Sequence, residues 1–86
     1  MIVHIPSPLL SYTEQVTPVE ISGGTLREIV QALDGRYPGF AFRVLDEQGG
    51  IREHIRFFRE TTPETDLGAS LGGAREVHII CALSGG

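Results

Sequence analysis

Ser22-Gly23-Gly24-Thr25-Leu26-Arg27-Glu28-Ile29-Val30-Gln31-Ala32-Leu33-Asp34-Gly35-Arg36-Tyr37-Pro38-Gly39 carries the clearest helix signal in this chain of 86 residues. Thr25 and Glu28 have the spacing of a capping box, in which the hydroxyl bonds the first turn and the carboxylate reaches back. Leu26, Ile29, Val30 and Leu33 recur at i, i+3, i+4 and i+7, one apolar stripe suited to one face of a sheet. Arg27, Glu28, Gln31 and Asp34 fall on the wet side. Pro38 disfavours helical geometry in the residue before it, so the helix must end by Tyr37-Pro38-Gly39.

Strand patterns flank this helix. Ile2, Val3 and Ile5 read as a first strand that Pro6 and Pro8 force to end early or to bulge at an edge. Residues 11–15 read as a turn and 16–21 as a second strand, with Thr17, Val19 and Ile21 on one face; together they predict an N-terminal hairpin. Beyond the helix, residues 40–45 predict an irregular or one-turn segment that plugs the core with Phe40, Phe42 or Leu45. Residues 46–50 are a polar loop. Residues 51–60 predict a third strand, with Ile55 and Phe57 alternating against Arg56 and Phe58. Residues 61–65 read as a turn-rich loop and 67–71 as a single helical turn. A final strand begins near Glu76. The order strand, strand, helix, strand, strand predicts an α+β fold of the β-grasp, or ubiquitin-like, type. It is one domain over 1–86, a mixed sheet of four to five strands covered by one main helix.

Composition narrows the function classes. Hydrophobic residues make up 41%, enough for one core and too many for a disordered chain. No apolar run reaches the roughly 18 residues of a membrane span. The start has no basic segment followed by an apolar stretch and a cleavage site. A single cysteine, Cys81, fits a reducing compartment, so a cytoplasmic location with no membrane partner is expected. The net charge is −4, and the seven basic residues, all arginine, do not cluster. Nucleic acid is therefore not an expected partner, because binding it depends on neutralising phosphates. With no lysine, the chain has no ε-amine on which to accept a conjugate.

The side chains offer no self-contained active site. His4, His54 and His78 are scattered in sequence, and a zinc site needs about three or four convergent ligands, so no metal ligand is assigned. Cys81 lies in an apolar run and reads as a small hydrophobe. Asp46, Glu47, Glu60, Glu64 and Asp66 read as solvated loop charge. None of the glycine pairs is followed by Lys-Ser or Lys-Thr, so no phosphate loop is present. The chain is expected to bind no cofactor and to act as a substrate or carrier of other enzymes.

The tail gives that expectation its chemistry. Glu76-Val77-His78-Ile79-Ile80-Cys81-Ala82-Leu83-Ser84-Gly85-Gly86 runs an apolar strand straight into two glycines. The pairs Gly23-Gly24, Gly49-Gly50 and Gly72-Gly73 fall between candidate elements, whereas Gly85-Gly86 has no element after it. A flexible tail over 84–86 with a free α-carboxylate is expected. A carboxylate becomes reactive once it has a better leaving group, and an acyl-adenylate made from ATP provides one. Glycine has no side chain to clash with an activating enzyme's channel, and a larger residue at 85 or 86 would block it.

Val77 to Gly86 resembles the closing motif of the ThiS/MoaD sulfur-carrier family. Thr25 to Leu33 with Arg36-Tyr37-Pro38-Gly39 resembles the family helix and its end, and Val44-Leu45-Asp46 and residues 54–58 fall where the family has counterparts. Three features depart from the pattern: Cys81 stands where many relatives have proline, Arg59-Glu60 replaces an Asn-containing turn, and residues 61–71 match poorly. The long stretch between the helix and the third strand resembles the MoaD-type and cysteine-biosynthesis branches. The resemblance implies that an E1-like adenylating enzyme, using ATP, activates the Gly86 carboxylate, with Gly85 as the tail. A sulfurtransferase or other sulfur source then converts it to a thiocarboxylate. A biosynthetic enzyme accepts the sulfur, for molybdopterin, cysteine, thiamine thiazole or a sulfur-containing natural product. If Val77, Ile79 and Leu26 point inward, Phe58, Ile80 and Ala82 form an open apolar patch, with Leu83 and Ser84 leading to the tail; these five are the expected partner-binding residues. Two other readings fit the same tail: a ubiquitin-like modifier conjugated through Gly86, and a plain β-grasp binding module.

Overall fold

The capping box forms as its spacing dictates, and it starts the helix on which the sheet packs. The Thr25 hydroxyl accepts the Glu28 N–H at 3.1 Å, while Glu28 Oε1 accepts the Gly24 N–H at 2.6 Å. In this computed structural model, which describes residues 1–82, helix α1 spans Leu26–Arg36. Leu26, Ile29, Val30 and Leu33 are all fully buried, each stabilising the fold by roughly 1.5–3 kcal/mol relative to exposure. The Tyr37 N–H caps the Leu33 carbonyl at 2.7 Å. Asp34, placed on the wet side by periodicity, is half-buried, and its Oδ1 accepts the N–H groups of Gly39 at 3.1 Å and Ala41 at 2.9 Å.

Five strands form one mixed sheet: β1 (Ile2–His4), β2 (Val19–Glu20), β3 (Ile55–Arg59), β4 (Thr62–Glu64) and β5 (Glu76–Cys81). Their spatial order is β2-β1-β5-β3-β4. β5 is central, parallel to β1 and antiparallel to β3, and the outer pairs β1–β2 and β3–β4 are antiparallel. This is the mixed, helix-covered β-grasp sheet predicted, with five strands. Val3 faces Val77 and Phe57 faces Ile79 across the ladders. All four are at most 1% exposed and pack with the α1 stripe.

Several elements differ from expectation. Residues 7–13 form a 3-10 helix, Ser7–Thr13, where only a turn was read at 11–15. Pro8 sits in its first turn, where a missing N–H costs nothing, and Leu9 and Thr13 are buried. β2 is limited to two residues because Pro18 cannot donate to a ladder, and the Thr17 hydroxyl instead accepts the Ile5 N–H at 2.8 Å. Helix α2 (Ala41–Val44) plugs the core with Phe40 and Val44; Phe42 is 62% exposed. β3 is shorter than residues 51–60, and Ile51 makes only a single bridge to Leu45. The loop read at 61–65 contains an edge strand, β4, where Pro63 is tolerated because no further strand needs its N–H. Residues 67–71 form no helical turn. Leu67 and Leu71 are buried there, the Leu67 carbonyl accepts the Arg27 N–H, and the Leu71 N–H bonds the Gly24 carbonyl. This stretch thus ties itself to the start of α1.

Candidate functional site

Alternation along β5 sorts its side chains between two faces. Val77 and Ile79 point to the helix, while Glu76, His78 and Ile80 point to the open face. On β3 the same period sends Ile55 and Phe57 inward and Arg56 and Phe58 outward. Register then places Phe58 opposite His78, Arg56 opposite Ile80 and Pro63 beside Phe58. Ile80 is 42% exposed; Phe58 is half-buried among these neighbours. The proposed apolar patch therefore lies on the helix-free side of the sheet, interrupted by Arg56.

The strand end is held as well. Beyond the last β5 residue, the Ala82 N–H bonds the His54 carbonyl at 2.7 Å. This ties Ala82 to the residue before β3, and Ala82 itself is half-buried. Leu83, Ser84, Gly85 and Gly86, the tail residues assigned to partner binding and to carboxylate chemistry, lie outside the described residues. Cys81 sits opposite Ile55 and packs against the core. Burial pushes its thiol above the usual range, so it stays protonated and is a poor nucleophile.

At the other end of β5, a carboxylate does structural work. Glu60 Oε2 accepts the N–H groups of Arg75 and Glu76, both at 2.7 Å, and the Glu60 N–H bonds the Glu76 carbonyl at 3.0 Å. The two backbone bonds to its carboxylate, with lesser help from His78 and Arg75, hold the Glu60 carboxyl below its ordinary value. Asp46 and Asp66 likewise bind loop N–H groups, at Gln48 and Gly50 and at Gly68. Glu64 stands on β4 with its Oε1 3.8 Å from Arg59 Nε. The acids read as solvated loop charge are thus largely turn and strand anchors.

Sequence reasoning missed one grouping. His4 and His78, scattered in the chain, are register partners on the parallel β1–β5 ladder. Their rings stack with centroids 4.2 Å apart and planes 4° from parallel. Glu76, two residues before His78 on the same face, places Oε1 2.6 Å from His4 Nε2. One ligand atom from each of these three residues lies within 4.8 Å of the others. Only the parallel register brings His4 to β5. The one sequence signal was the outward period shared by Glu76 and His78.

The fold and this face define a ubiquitin-like β-grasp protein. No protein-family model matches the chain, and no curated protein does. Solved structures do. A chain of the Amycolatopsis orientalis BexX/CysO complex is 25% identical and superposes with a TM-score of 0.87, covering 99% of this chain and 98% of that one. Mycobacterium tuberculosis CysO is 23% identical with a TM-score of 0.86, over 95% of this chain and 98% of its own. SAMP1 from Haloferax volcanii is 24% identical with a TM-score of 0.77, over 100% and 98%. The likeness to these structures runs over nearly the whole chain and shows the ubiquitin-like β-grasp fold. Among the described residues, no helix is long and apolar enough to cross a membrane.

Proposed function

We propose that this chain is a sulfur carrier that works through the carboxylate of Gly86. The observation that supports this best is the near end-to-end likeness to a chain of the BexX/CysO complex, joined to a sequence whose central strand runs into Ser84-Gly85-Gly86. In the proposed cycle, an E1-like adenylating enzyme binds the open sheet face through Phe58, Ile80 and Ala82 and takes Leu83 and Ser84 toward its active site. The Gly86 carboxylate attacks the α-phosphate of ATP, a C–O–P linkage forms and pyrophosphate leaves. Sulfide from a sulfurtransferase or other source attacks the acyl carbon, the C–O bond to AMP breaks, and a thiocarboxylate remains. A biosynthetic enzyme making molybdopterin, cysteine or a sulfur-containing natural product then takes the sulfur. The chain is the co-substrate in each step, and its partners supply the catalytic groups. That a neighbour was solved as a two-protein complex agrees with a docking role for this fold.

Intact mass tests the reading. Incubation with ATP, a sulfide source and the cognate activating enzyme is expected to add the difference between sulfur and oxygen, mapped to the C-terminal peptide. An unchanged mass with a demonstrably active enzyme would overturn it. Conjugates that resist reducing agents, joined through Gly86 to lysines of other proteins, would assign the chain to the modifiers instead.

A further inference from the structure

The group of His4, Glu76 and His78 has no part in tail chemistry, and it satisfies conditions that a metal site needs. Its donors are two imidazoles and one carboxylate, a set that suits a borderline divalent ion such as Zn²⁺. Two adjacent, directly registered strands carry them, so the Cα positions are set by the sheet ladder and not by a loop. The donor atoms already lie within 4.8 Å of one another. Ligands at about 2.0–2.1 Å from a tetrahedral ion sit about 3.3 Å apart, so Glu76 would withdraw slightly from His4, and the two rings, stacked with planes 4° from parallel, would rotate apart on binding until a nitrogen of each faces one point. The metal would take the place of the hydrogen bond between His4 Nε2 and Glu76 Oε1. The side chains of His4 and Glu76 are 35% and 42% exposed, which leaves an entry path from solvent.

We infer that His4, Glu76 and His78 form a binding site for a zinc-class divalent cation on the helix-free face of the sheet. Three protein ligands leave a fourth coordination position for water or for a donor from another molecule, as in open rather than closed zinc sites. The site is independent of the Gly86 reading: it would bind metal whether or not the tail carries sulfur.

Titration of the full chain with Zn²⁺, followed by calorimetry and by amide and imidazole NMR, tests it. One equivalent is expected to bind, with the largest shifts at His4, Glu76 and His78. His4→Gln and His78→Gln are each expected to weaken binding by about 100-fold or more, beyond the cost of losing an outer-shell partner, while His54→Gln and Cys81→Ser leave it unchanged. Co²⁺ in place of Zn²⁺ should give the visible spectrum of a four-coordinate N/O site without a thiolate band. Melting curves verify that each variant is folded, and the NMR shifts of the unsubstituted chain decide the matter if one is not. Absence of binding would overturn the site. So would binding that survives both histidine substitutions or disappears with Cys81→Ser.

Discussion

Glu60 shows how one exposed residue acquires a structural task. It lies just past β3 with a backbone φ of 56°, and its carboxylate anchors the first two N–H groups of the approach to β5. Its folded-state pKa is lowered, so its stabilisation is present above the ordinary carboxylate value of 4.5 and is lost as pH falls through the lower folded value. Glu60→Gln keeps the side chain's size and leaves the backbone as it is, and removes only the charge. The variant is expected to be less stable than the unsubstituted chain near neutral pH. Urea unfolding across acid pH should show the gap closing below that window; a gap independent of pH would mean the charge is not what matters. The sequence placed Glu60 in a loop and stopped there. Its partners are the backbone of residues 75 and 76, which nothing in local spacing connects to it. Gly23 is a second such case: an added Cβ would meet Ile29 Cδ1 at 2.9 Å and the Ile29 backbone nitrogen at 3.1 Å. Gly23→Ala is expected to cost about 1–3 kcal/mol, the range for overpacking, measurable by thermal or urea unfolding.

At the scale of elements, periodicity predicted most of what formed. The stripe of α1 and the alternation of β5 and β3 were readable because each depends only on neighbours a few residues away. The consequence is testable on two adjacent residues. Ile79→Ala removes a side chain that is 1% exposed and is expected to cost about 2–5 kcal/mol. Ile80→Ala removes one that is 42% exposed and should change stability by no more than about 0.5 kcal/mol. Equal costs would mean that the strand faces are not as described. Thr25→Ala is expected to cost about 1 kcal/mol through loss of the cap. Misread elements had a tertiary cause. Pro63 suggested a loop, yet it sits in β4 because that strand has a free edge. Leu67 and Leu71 suggested a helical turn, yet they bury themselves by bonding the start of α1. Phe42 looked like a core plug, and the geometry of α2 chose Phe40 and Val44 instead.

For the whole molecule, the sheet divides labour between two faces, one filled by α1 and one left open beside the strand that leads to the tail. Ile80→Asp should leave the melting temperature nearly unchanged while raising the KM of the activating enzyme for this chain; an unchanged KM would remove Ile80 from the docking surface. Removing Gly86 should abolish thiocarboxylate formation with no loss of fold, read by intact mass beside a melting curve. By itself, the sequence determined the helix and its cap, the inward rows of β3 and β5 and the β-grasp order, because periodicity, turn chemistry and composition act over short stretches of chain. Tertiary structure alone decided that β5 lies at the centre of the sheet, that Glu60 anchors its start and that His4 meets Glu76 and His78. Those neighbours are far apart in sequence, and only the closing of the sheet into one register, driven by burial of its helix-facing side, brings them together.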